Sequence, residues 1–495
     1  MSAEKIVIGK NSYDVSKTHL HLYSDETLDD LDLLQLLKLP NLRVLEMYVS
    51  GRDISALSGL RNLESLTLYG EFVTDISPLS KLQNLARLSL RCPAADLSPL
   101  QELPNLVDLT LRDSLITDLS QLSKFPKLVE LTMWDLPGKG ISDLSPLSEL
   151  HNLEMLYMPS YHITDLRPLS GLHKLKKLFL QNNEITDISP LSELHSLLEL
   201  NLSHNHIADI SPLSGLMNLA VLELPENDIA DISPLAEING LFVLDLWHNH
   251  IKDARPLSAH RDLEKLTLAE NDISDISPLS ELHCLYELNL PLNHITDISP
   301  LSGLRELQDL SLGHNQITDI SPLSELRGLI NLYLSYNQIS DISPLSGLNE
   351  LDRLELIGNQ VTDISPLSEL HNLTELYLDR NNITDVSPLS ELRILYNLDL
   401  SFNGITDVSP LSGIQSLTDL RLLSNNITDP SSLSKLGKLS FLDVSFNKIK
   451  SPSMFYKFKK LKYLYLSMKN YQNAQKLKKA LPYCSITFKT LPKQP

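Results

Sequence analysis

The sequence predicts an α/β solenoid, in which short parallel strands alternate with short helical turns along one elongated domain. An asparagine recurs every 22 residues from Asn183 to Asn447, and leucines surround each copy at fixed positions. Self-similarity at a fixed period indicates a repeat architecture, because one unit cannot bury its apolar face alone and stacked units form a continuous core. The repeat therefore decides the fold class before any other feature of the chain.

Each repeat follows the pattern L-x-x-L-x-L-x-x-N-x-I-x-D-I-S-P-L-S-x-L-x-x. In the copy that begins at Leu285, Leu288 and Leu290 occupy positions 4 and 6, and this spacing of two predicts a strand with both leucines facing the core. The asparagine at position 9 is expected to hold a turn through its side chain and to stack beside its copies in adjacent repeats. Ser299 suits an N-cap and Pro300 suits the first position of a helix, so a short helical turn is expected there.

This repeat resembles the leucine-rich repeat family. The D-I-S-P-L-S segment resembles the 22-residue class found in bacterial internalins and in a eukaryotic phosphatase-regulating family. The resemblance covers about residues 17–486. It implies a horseshoe-shaped solenoid with a parallel sheet on its concave face and short helical turns on its convex side.

Internalins are usually secreted or anchored to the cell wall, and this chain departs from that pattern. Its first residues contain no apolar segment typical of a secretory signal, and its last residues contain no sorting-type apolar tail. No apolar run reaches the ~18 residues that a membrane span needs. Cys92, Cys284 and Cys484 are odd in number and far apart, which favours unpaired thiols in a reducing compartment. We therefore expect a non-secreted, cytoplasmic and bacterial member, to which the host-receptor role of internalins does not transfer.

The solenoid is expected over residues 42–460. Twenty strand-bearing repeats begin at Leu42 and continue to the one that begins at Leu461. The first six depart from the pattern at position 9, where asparagine is replaced, and Pro137-Gly138-Lys139 is the expected insertion in the longest of them.

Both ends are expected to be caps, because a terminal repeat would otherwise expose its core. Residues 1–41 predict a hairpin around Gly9 and a helix from Asp25 to Leu37, with Leu28, Leu31, Leu34 and Leu37 on one side. Residues 461–495 predict the last strand, a helix over 471–481 and a closing strand over 485–488.

Charge is distributed unevenly. The formal net charge is −20, and much of it comes from the Asp and Glu of the repeat pattern, which we interpret as a solvated surface. Residues 447–495 instead contain 12 lysines and no acidic residue. A cap is the plain interpretation of this basic end. Docking on an acidic surface, including that of a second copy, is an alternative; nucleic-acid binding is not favoured, because the rest of the chain is acidic.

No motif indicates an enzyme or a cofactor. The sequence contains no G-x-S-x-G, no P-loop and no H-E-x-x-H. The pairs His204-Asn-His206 and His248-Asn-His250 lie two repeats apart, but no cysteine or carboxylate stands beside them at zinc-like spacing. Duplication of repeats explains the recurrence, so we expect no metal site.

The predicted binding surface is the concave face. Side chains at positions 3, 5, 7 and 8 alternate with the buried leucines and should face it, and both tryptophans of the chain, Trp134 and Trp247, occupy position 7. Aromatic residues and arginine are enriched at interface hot spots. The predicted partner-binding residues are Arg91, Arg112, Trp134, Tyr157, Tyr161, Phe179, Phe242 and Trp247.

Two further zones share this face. An acidic strip surrounds Phe242 and Trp247 and would steer a basic partner, and aromatic residues recur toward the C-terminal end from Tyr333 to Tyr465. The alternative interpretations are an acidic strip that merely keeps the sheet hydrated and, around Trp134, a solvent-tolerant patch or a self-contact of imperfect repeats.

The expected function is a non-enzymatic protein–protein interaction scaffold. It would bind a protein partner on the concave face and, by analogy of fold, regulate or neutralise that partner. The alternative is a structural element that self-assembles head to tail through its acidic body and basic C-terminal end.

Overall fold

The computed structural model describes residues 5–22, 28, 30–134, 141–467 and 471–489. The chain divides into two compact units, Met1–Leu241 and Phe242–Pro495, where the sequence predicted one elongated domain. The predicted insertion at Pro137-Gly138-Lys139 lies outside the described residues. The predicted cap boundaries at residues 42 and 461 stay a prediction.

The first unit consists of a hairpin, a short helix and one strand from each successive repeat. Strands β1 and β2 pair antiparallel, and β3 to β12 pair parallel, each with the next in chain order. Its elements are β1 (Lys5–Ile8), β2 (Asn11–Asp14), β3 (His19–His21), α1 (Asp30–Leu36), β4 (Val44–Tyr48), β5 (Ser65–Tyr69), β6 (Arg87–Arg91), β7 (Asp108–Arg112), β8 (Glu130–Trp134), β9 (Met155–Tyr157), β10 (Lys177–Phe179), β11 (Glu199–Asn201) and β12 (Val221–Glu223). Its 3-10 helices are Ser55–Gly59, Ser77–Lys81, Ser98–Glu102, Ser120–Lys124, Ser145–Leu147, Arg167–Leu169, Ser189–Leu191, Ser211–Leu213 and Ser233–Glu237.

The second unit repeats this plan with a parallel sheet from β13 to β24. Its elements are β13 (Val243–Asp245), β14 (Lys265–Thr267), β15 (Glu287–Asn289), β16 (Asp309–Ser311), β17 (Asn331–Tyr333), β18 (Arg353–Glu355), β19 (Glu375–Tyr377), β20 (Asn397–Asp399), β21 (Asp419–Arg421), β22 (Phe441–Asp443), β23 (Tyr463–Leu466), α2 (Tyr471–Ala480) and β24 (Ser485–Phe488). Its 3-10 helices are Arg255–Ala259, Ser277–Leu279, Ser299–Gly303, Ser321–Glu325, Ser343–Gly347, Ser365–Leu367, Ser387–Glu391, Ser409–Gly413, Ser431–Lys435 and Pro452–Lys457.

The core lies between the sheet and the 3-10 turns, as the leucine spacing predicts. Leu288 and Leu290 are buried, whereas Glu287, which precedes them, and Asn289, which lies between them, are half-buried. Side chains at positions 3, 5, 7 and 8 therefore form a second face of the sheet, which we name the exposed sheet face. The predicted fold class, a solenoid of leucine-rich repeats with a parallel sheet, is confirmed in both units.

The position 9 asparagines form a ladder that joins consecutive repeats. Asn293 is buried, and its Nδ2 donates to the carbonyl of Leu290 at 3.1 Å and to that of Leu268, in the preceding repeat, at 2.9 Å. Its Oδ1 accepts from the Ile273 N–H at 2.9 Å. One side chain thus holds its own turn and the turn before it, and the predicted role of this asparagine is confirmed.

The capping of the helical turns differs from the prediction. Ser299 is the first residue of its 3-10 helix, and Ile298 at the N-cap offers no side-chain hydrogen bond. Asp297 acts instead, because its Oδ1 accepts from the Ser299 N–H at 2.8 Å. This hydrogen bond, with a second one from the serine hydroxyl, lowers the pKa of Asp297. The expectation that Ser299 is the N-cap was wrong, since Ser299 lies inside the helix and its own N–H donates to a carboxylate two residues earlier.

The N-terminal cap contains the predicted hairpin and a shorter helix than predicted, with the opposite face buried. Leu33 and Leu36 face the core, whereas Leu31 and Leu34 are exposed. Leu28 is buried but lies outside the helix, where it forms an isolated bridge with Val49.

The C-terminal cap has the predicted order. Helix α2 and strand β24 follow β23, and Leu477 of α2 is buried beneath them. Throughout the described ranges, the structure contains no helix with the length and apolar character that crossing a bilayer requires.

Candidate functional site

Three aromatic side chains from adjacent strands lie in contact on the exposed sheet face of the first unit. The rings of Trp134 and Tyr157 are stacked, with centroids 4.5 Å apart and planes 30° apart. The rings of Tyr157 and Phe179 follow at 5.7 Å with a tilt of 46°. The register of the strands brings them together. Tyr157 pairs with Phe179 of β10 on one side and with Thr132 of β8 on the other, and Trp134 follows Thr132 by two residues on the same face. We name Trp134, Tyr157 and Phe179 the aromatic row.

One residue that fixes the aromatic row was missed by the sequence analysis. Gln181 Nε2 donates to the Tyr157 hydroxyl at 3.1 Å and so restricts the rotation of that side chain. Gln181 occupies position 7, which the repeat phase assigns to the exposed sheet face, but its amide gave no aromatic or charge signal.

The two predicted arginines extend the surface toward the N-terminus. Arg91, Arg112 and Trp134 are direct neighbours in register on β6, β7 and β8. Arg91 Nε lies 2.7 Å from Asp113 Oδ2, and this hydrogen-bonded ion pair raises the pKa of Arg91. Both partners are about half exposed, so solvent screens the pair and it contributes little to stability.

Tyr161 does not lie on this surface. It is buried, because it occupies position 9, where the chain turns inward and other repeats place the ladder asparagine. Its backbone N–H donates to Asn183 Oδ1 at 2.9 Å, as part of the next rung of the ladder. Its prediction as an exposed contact residue is therefore corrected.

In the second unit, Phe242 and Trp247 stand at opposite ends of β13. Phe242 precedes the strand and is exposed, whereas Trp247 follows it and is half-buried. The Trp247 backbone N–H donates to Asp245 Oδ1 at 3.0 Å, and the Trp247 ring centroid lies 5.9 Å from that of His248. Within the part of the chain that the structure describes, no ring contact joins Phe242 to Trp247.

A denser network than predicted surrounds Arg353, also in the second unit. Its guanidinium lies 2.7 Å from Glu355 Oε1 and 3.0 Å from Glu375 Oε2. It also stands over the rings of Tyr333 and Tyr377, at 5.6 and 5.0 Å from their centroids. The sequence analysis named this aromatic zone but not the arginine at its centre, since one arginine among many charged positions gives no signal.

The tyrosines of that network are tied to one carboxylate. Tyr377 Oη donates to Glu375 Oε2 at 2.7 Å, and Tyr396 Oη donates to Glu375 Oε1 at 2.6 Å. These hydrogen bonds, that from Tyr396 first, lower the pKa of Glu375, while burial and then the glutamate raise the pKa of Tyr377. The polar groups of this zone are thus largely satisfied by each other.

Two of the four histidines considered for a metal site, His204 and His248, pair with glutamates. His204 Nδ1 lies 2.8 Å from Glu226 Oε2, and His248 Nδ1 lies 2.8 Å from Glu270 Oε2, in each case in the following repeat. Among the described residues, no group of three or more His, Cys, Asp and Glu side chains is arranged to hold a metal ion.

Similarity to known proteins agrees with this architecture. A family model described as Leucine Rich repeats (2 copies) matches residues 151–193, 195–237, 285–325, 305–347, 327–369 and 350–391. The crystal structure of an internalin, InlF, from Listeria monocytogenes is 39% identical, with a TM-score of 0.59, and the match covers 59% of this chain and 87% of that one. Among curated protein sequences, none matches the chain significantly.

Two further solved structures share the fold at lower identity. The functional domain of InlJ from Listeria monocytogenes is 22% identical with a TM-score of 0.54, over 65% of this chain and 75% of that one. The Arabidopsis receptor kinase HAESA, solved with the peptide hormone IDA and the co-receptor SERK1, is 22% identical with a TM-score of 0.68, over 90% and 82%.

The repeats, the asparagine ladder and the exposed sheet face together define a protein-interaction scaffold of the leucine-rich repeat type. Within that class, the identity to InlF over most of its length is specific. The chain belongs to the internalin-like family of leucine-rich repeat proteins.

Proposed function

We propose that the protein binds a protein partner on the exposed sheet face of its first unit, with the aromatic row as the anchor. The observation that carries the proposal is that Trp134 remains 38% exposed although its ring is stacked on Tyr157. A large apolar side chain in this state has surface left to bury. Aromatic residues of this kind dominate the binding energy of many interfaces.

The aromatic row is held in place before any partner arrives. Stacking fixes Trp134, and the hydrogen bond from Gln181 fixes Tyr157. Side chains that are already ordered lose less conformational entropy on binding, which favours affinity. Arg112, next to Trp134 in register, would add a charge-assisted contact at the edge of the interface.

We further propose that the protein acts by binding rather than by catalysis. We also propose that it acts in the bacterial cytosol. The location is supported by the three cysteines, since Cys92, Cys284 and Cys484 form no disulfide with one another. Regulation or neutralisation of the partner is the purpose we assign by analogy of fold.

The experiment is affinity capture from a lysate of the source organism, read by mass spectrometry. The baits are the wild type, Trp134→Ala and the control Met217→Ala, whose side chain is exposed in the same unit but outside the sheet. We expect a protein that the wild type and Met217→Ala retain and Trp134→Ala loses, with affinity for the purified partner falling roughly 30-fold, as at a hot spot. Equal retention of every protein by all three baits contradicts the proposal.

Self-assembly is a second candidate because the basic end already contacts an acidic sheet position. Lys489 Nζ lies 2.7 Å from Asp443 Oδ2 and 4.9 Å from the Tyr465 ring centroid, within the second unit. Other lysines of residues 447–495 would make similar contacts with a neighbouring copy. Sedimentation at about 0.02 M and about 0.5 M salt tests this, because screening weakens such contacts. Assembly only at low salt is expected, and a monomer at both salt concentrations removes the idea.

A further inference from the structure

A cavity of about 640 Å³ opens on the first unit, beyond the aromatic row. It lies at the C-terminal ends of β4 to β7, and its volume falls in the range typical of ligand sites. The lining side chains on which the argument rests are Tyr48, Tyr69, Glu71, Phe72, Arg91 and Asp113.

The cavity coincides with a gap in the asparagine ladder. In the later repeats, a side chain such as Asn205 fills the space beneath the turn and bonds the carbonyls of Leu202 and Leu180. At the cavity, the same position holds Glu71 and Pro93. An exposed glutamate and a proline cannot make these bonds, so the turns stand without the rung that joins them elsewhere.

Aromatic rings form one side of the cavity. Tyr48 and Tyr69 are stacked with centroids 4.1 Å apart and planes 6° apart. Tyr69 is held from below, because its hydroxyl donates to Glu46 Oε1 at 3.3 Å. Phe72 stands at the rim with 53% of its surface exposed. A ligand in the cavity could therefore contact the ordered tyrosine rings as well as the exposed ring of Phe72 at the rim.

The lining contains more negative than positive side chains. Glu71 and Asp113 face a single guanidinium, that of Arg91, which pairs with Asp113 at 2.7 Å. Glu71 forms no ion pair with any described residue. Outside the lining, Glu46 accepts from the Tyr69 hydroxyl and lies 3.0 Å from His21 Nδ1, and Arg112 is the neighbour of Arg91 in register. One carboxylate is thus left for a cation that enters the cavity.

We infer that this cavity binds the guanidinium group of an arginine side chain, placed against the rings of Tyr69 and Phe72 and paired with Glu71. A flat cation is attracted to ring faces and forms charge-assisted hydrogen bonds with a carboxylate. A purely aromatic guest would use the rings but leave Glu71 without a counter-charge.

The inference rests on the proposed function for the source of that arginine, which is the bound partner. Tyr69 at the cavity and Trp134 at the aromatic row are three strands apart, a distance of roughly 14 Å. About four residues of extended chain span such a distance. A partner segment with an apolar anchor on Trp134 and an arginine about four residues away would reach both sites.

The test uses small probes on the full-length protein, so that it does not depend on the partner. Binding of N-acetyl-arginine amide is titrated by saturation-transfer NMR and compared with N-acetyl-citrulline amide, which has the same shape without charge, and with N-acetyl-phenylalanine amide. Glu71→Gln and Phe72→Ala remove the carboxylate and the rim ring. Both side chains are exposed, so the fold should be retained, and a melting curve checks this.

We expect saturable binding of the arginine probe, weaker binding of the other two, and a loss of roughly three- to tenfold in each variant. Trp134→Ala should bind the arginine probe as the wild type does. Absence of saturable binding, equal binding of the citrulline or phenylalanine probe, or indifference to both cavity variants overturns the inference. If the probe binds as expected but capture is insensitive to Trp134→Ala, the proposed function fails and the cavity site stands.

Discussion

Trp134 stacks on Tyr157, although the two residues are 23 positions apart and belong to repeats of unequal length. Their centroids lie 4.5 Å apart, while Tyr157 also contacts Phe179 in the next repeat. The middle ring thus supports both neighbours, and the hydrogen bond from Gln181 orients it. This dependence can be measured without a partner.

Replacement of Tyr157 should therefore change the surroundings of Trp134. In a Trp247→Phe background, which leaves Trp134 as the sole tryptophan, Tyr157→Ala should shift its fluorescence emission to longer wavelength and increase quenching by acrylamide. Tyr157→Phe retains the ring and should change either quantity much less. Identical spectra for Tyr157→Ala and the parent would show that the ring of Tyr157 does not hold Trp134.

Asn293→Ala should destabilise the second unit, because the buried asparagine satisfies groups in two repeats. Its loss leaves the buried N–H of Ile273 without its acceptor, and the carbonyl of Leu268 keeps only its bond from Asn271 Nδ2 at 3.2 Å. An unsatisfied buried group costs about 1–3 kcal/mol and the hydrogen bonds lost at the carbonyls add to this, so we expect a loss of roughly 2–4 kcal/mol in the free energy of unfolding by urea.

Asn372→Ala is the matched control, since Asn372 is exposed and donates to the Asn349 carbonyl, at 2.8 Å. A surface substitution of this kind should stay within about 0.5 kcal/mol. Comparable losses for both variants would refute the special role of the ladder.

The sequence predicted the fold well because every copy of a strict repeat indicates the same buried and exposed positions. The buried Leu288 and Leu290, the Asn293 ladder and the cap strand β24 all follow from spacing alone. The helix of the N-terminal cap occurs only once. Its buried side is set by what packs against it, so the spacing of its leucines did not predict that Leu31 and Leu34 would be exposed.

The candidate site could be predicted only in part. The phase of position 7 correctly placed Trp134 on the exposed sheet face, but Tyr161 was included although position 9 turns inward. The contribution of Gln181 depends on a hydrogen bond across repeats, and the cavity near Phe72 depends on the shape of four adjacent turns. Neither feature could be predicted from the repeat pattern of the sequence.

Strain at position 8 provides a stability prediction. Leu292 has φ +57 and is 45% exposed. Burial of its side chain therefore does little to offset the strain of the left-handed backbone. Left-handed conformation costs a residue other than glycine or asparagine roughly 1–2 kcal/mol. Leu292→Asn should therefore raise the free energy of unfolding by about 0.5–1 kcal/mol, measured by urea denaturation.

Gly358 occupies the same position three repeats further along the chain and tests the converse. It has φ +66, and a Cβ there would lie 2.7 Å from Tyr336 Cδ1. Gly358→Ala should destabilise the protein by at least about 1 kcal/mol, through strain and displacement of that ring. No gain in Leu292→Asn together with no loss in Gly358→Ala would argue against strain at this position.

Asp379 should make stability depend on pH. Burial, followed by repulsion from Asp399, raises the pKa of Asp379 to about 6 in the folded protein, above its ordinary value of 3.8. Between these two values the folded state binds more protons than the unfolded state, so this group makes stability rise as pH falls through about 6 toward 4. Above about pH 6 the carboxylate is charged in both states, and its burial destabilises the fold.

Asp379→Asn removes this titration and keeps the side-chain volume. Urea denaturation of the variant and the wild type at about pH 7.5 and about pH 4.5 should show the variant more stable, relative to the wild type, at the higher pH. Titrating groups that do not interact with Asp379 act equally on both proteins and cancel in this difference. A stability difference that is the same at both pH values, or larger in favour of the variant at the lower one, would mean that Asp379 is ionised at its ordinary pKa and that its burial imposes no penalty on the charged form.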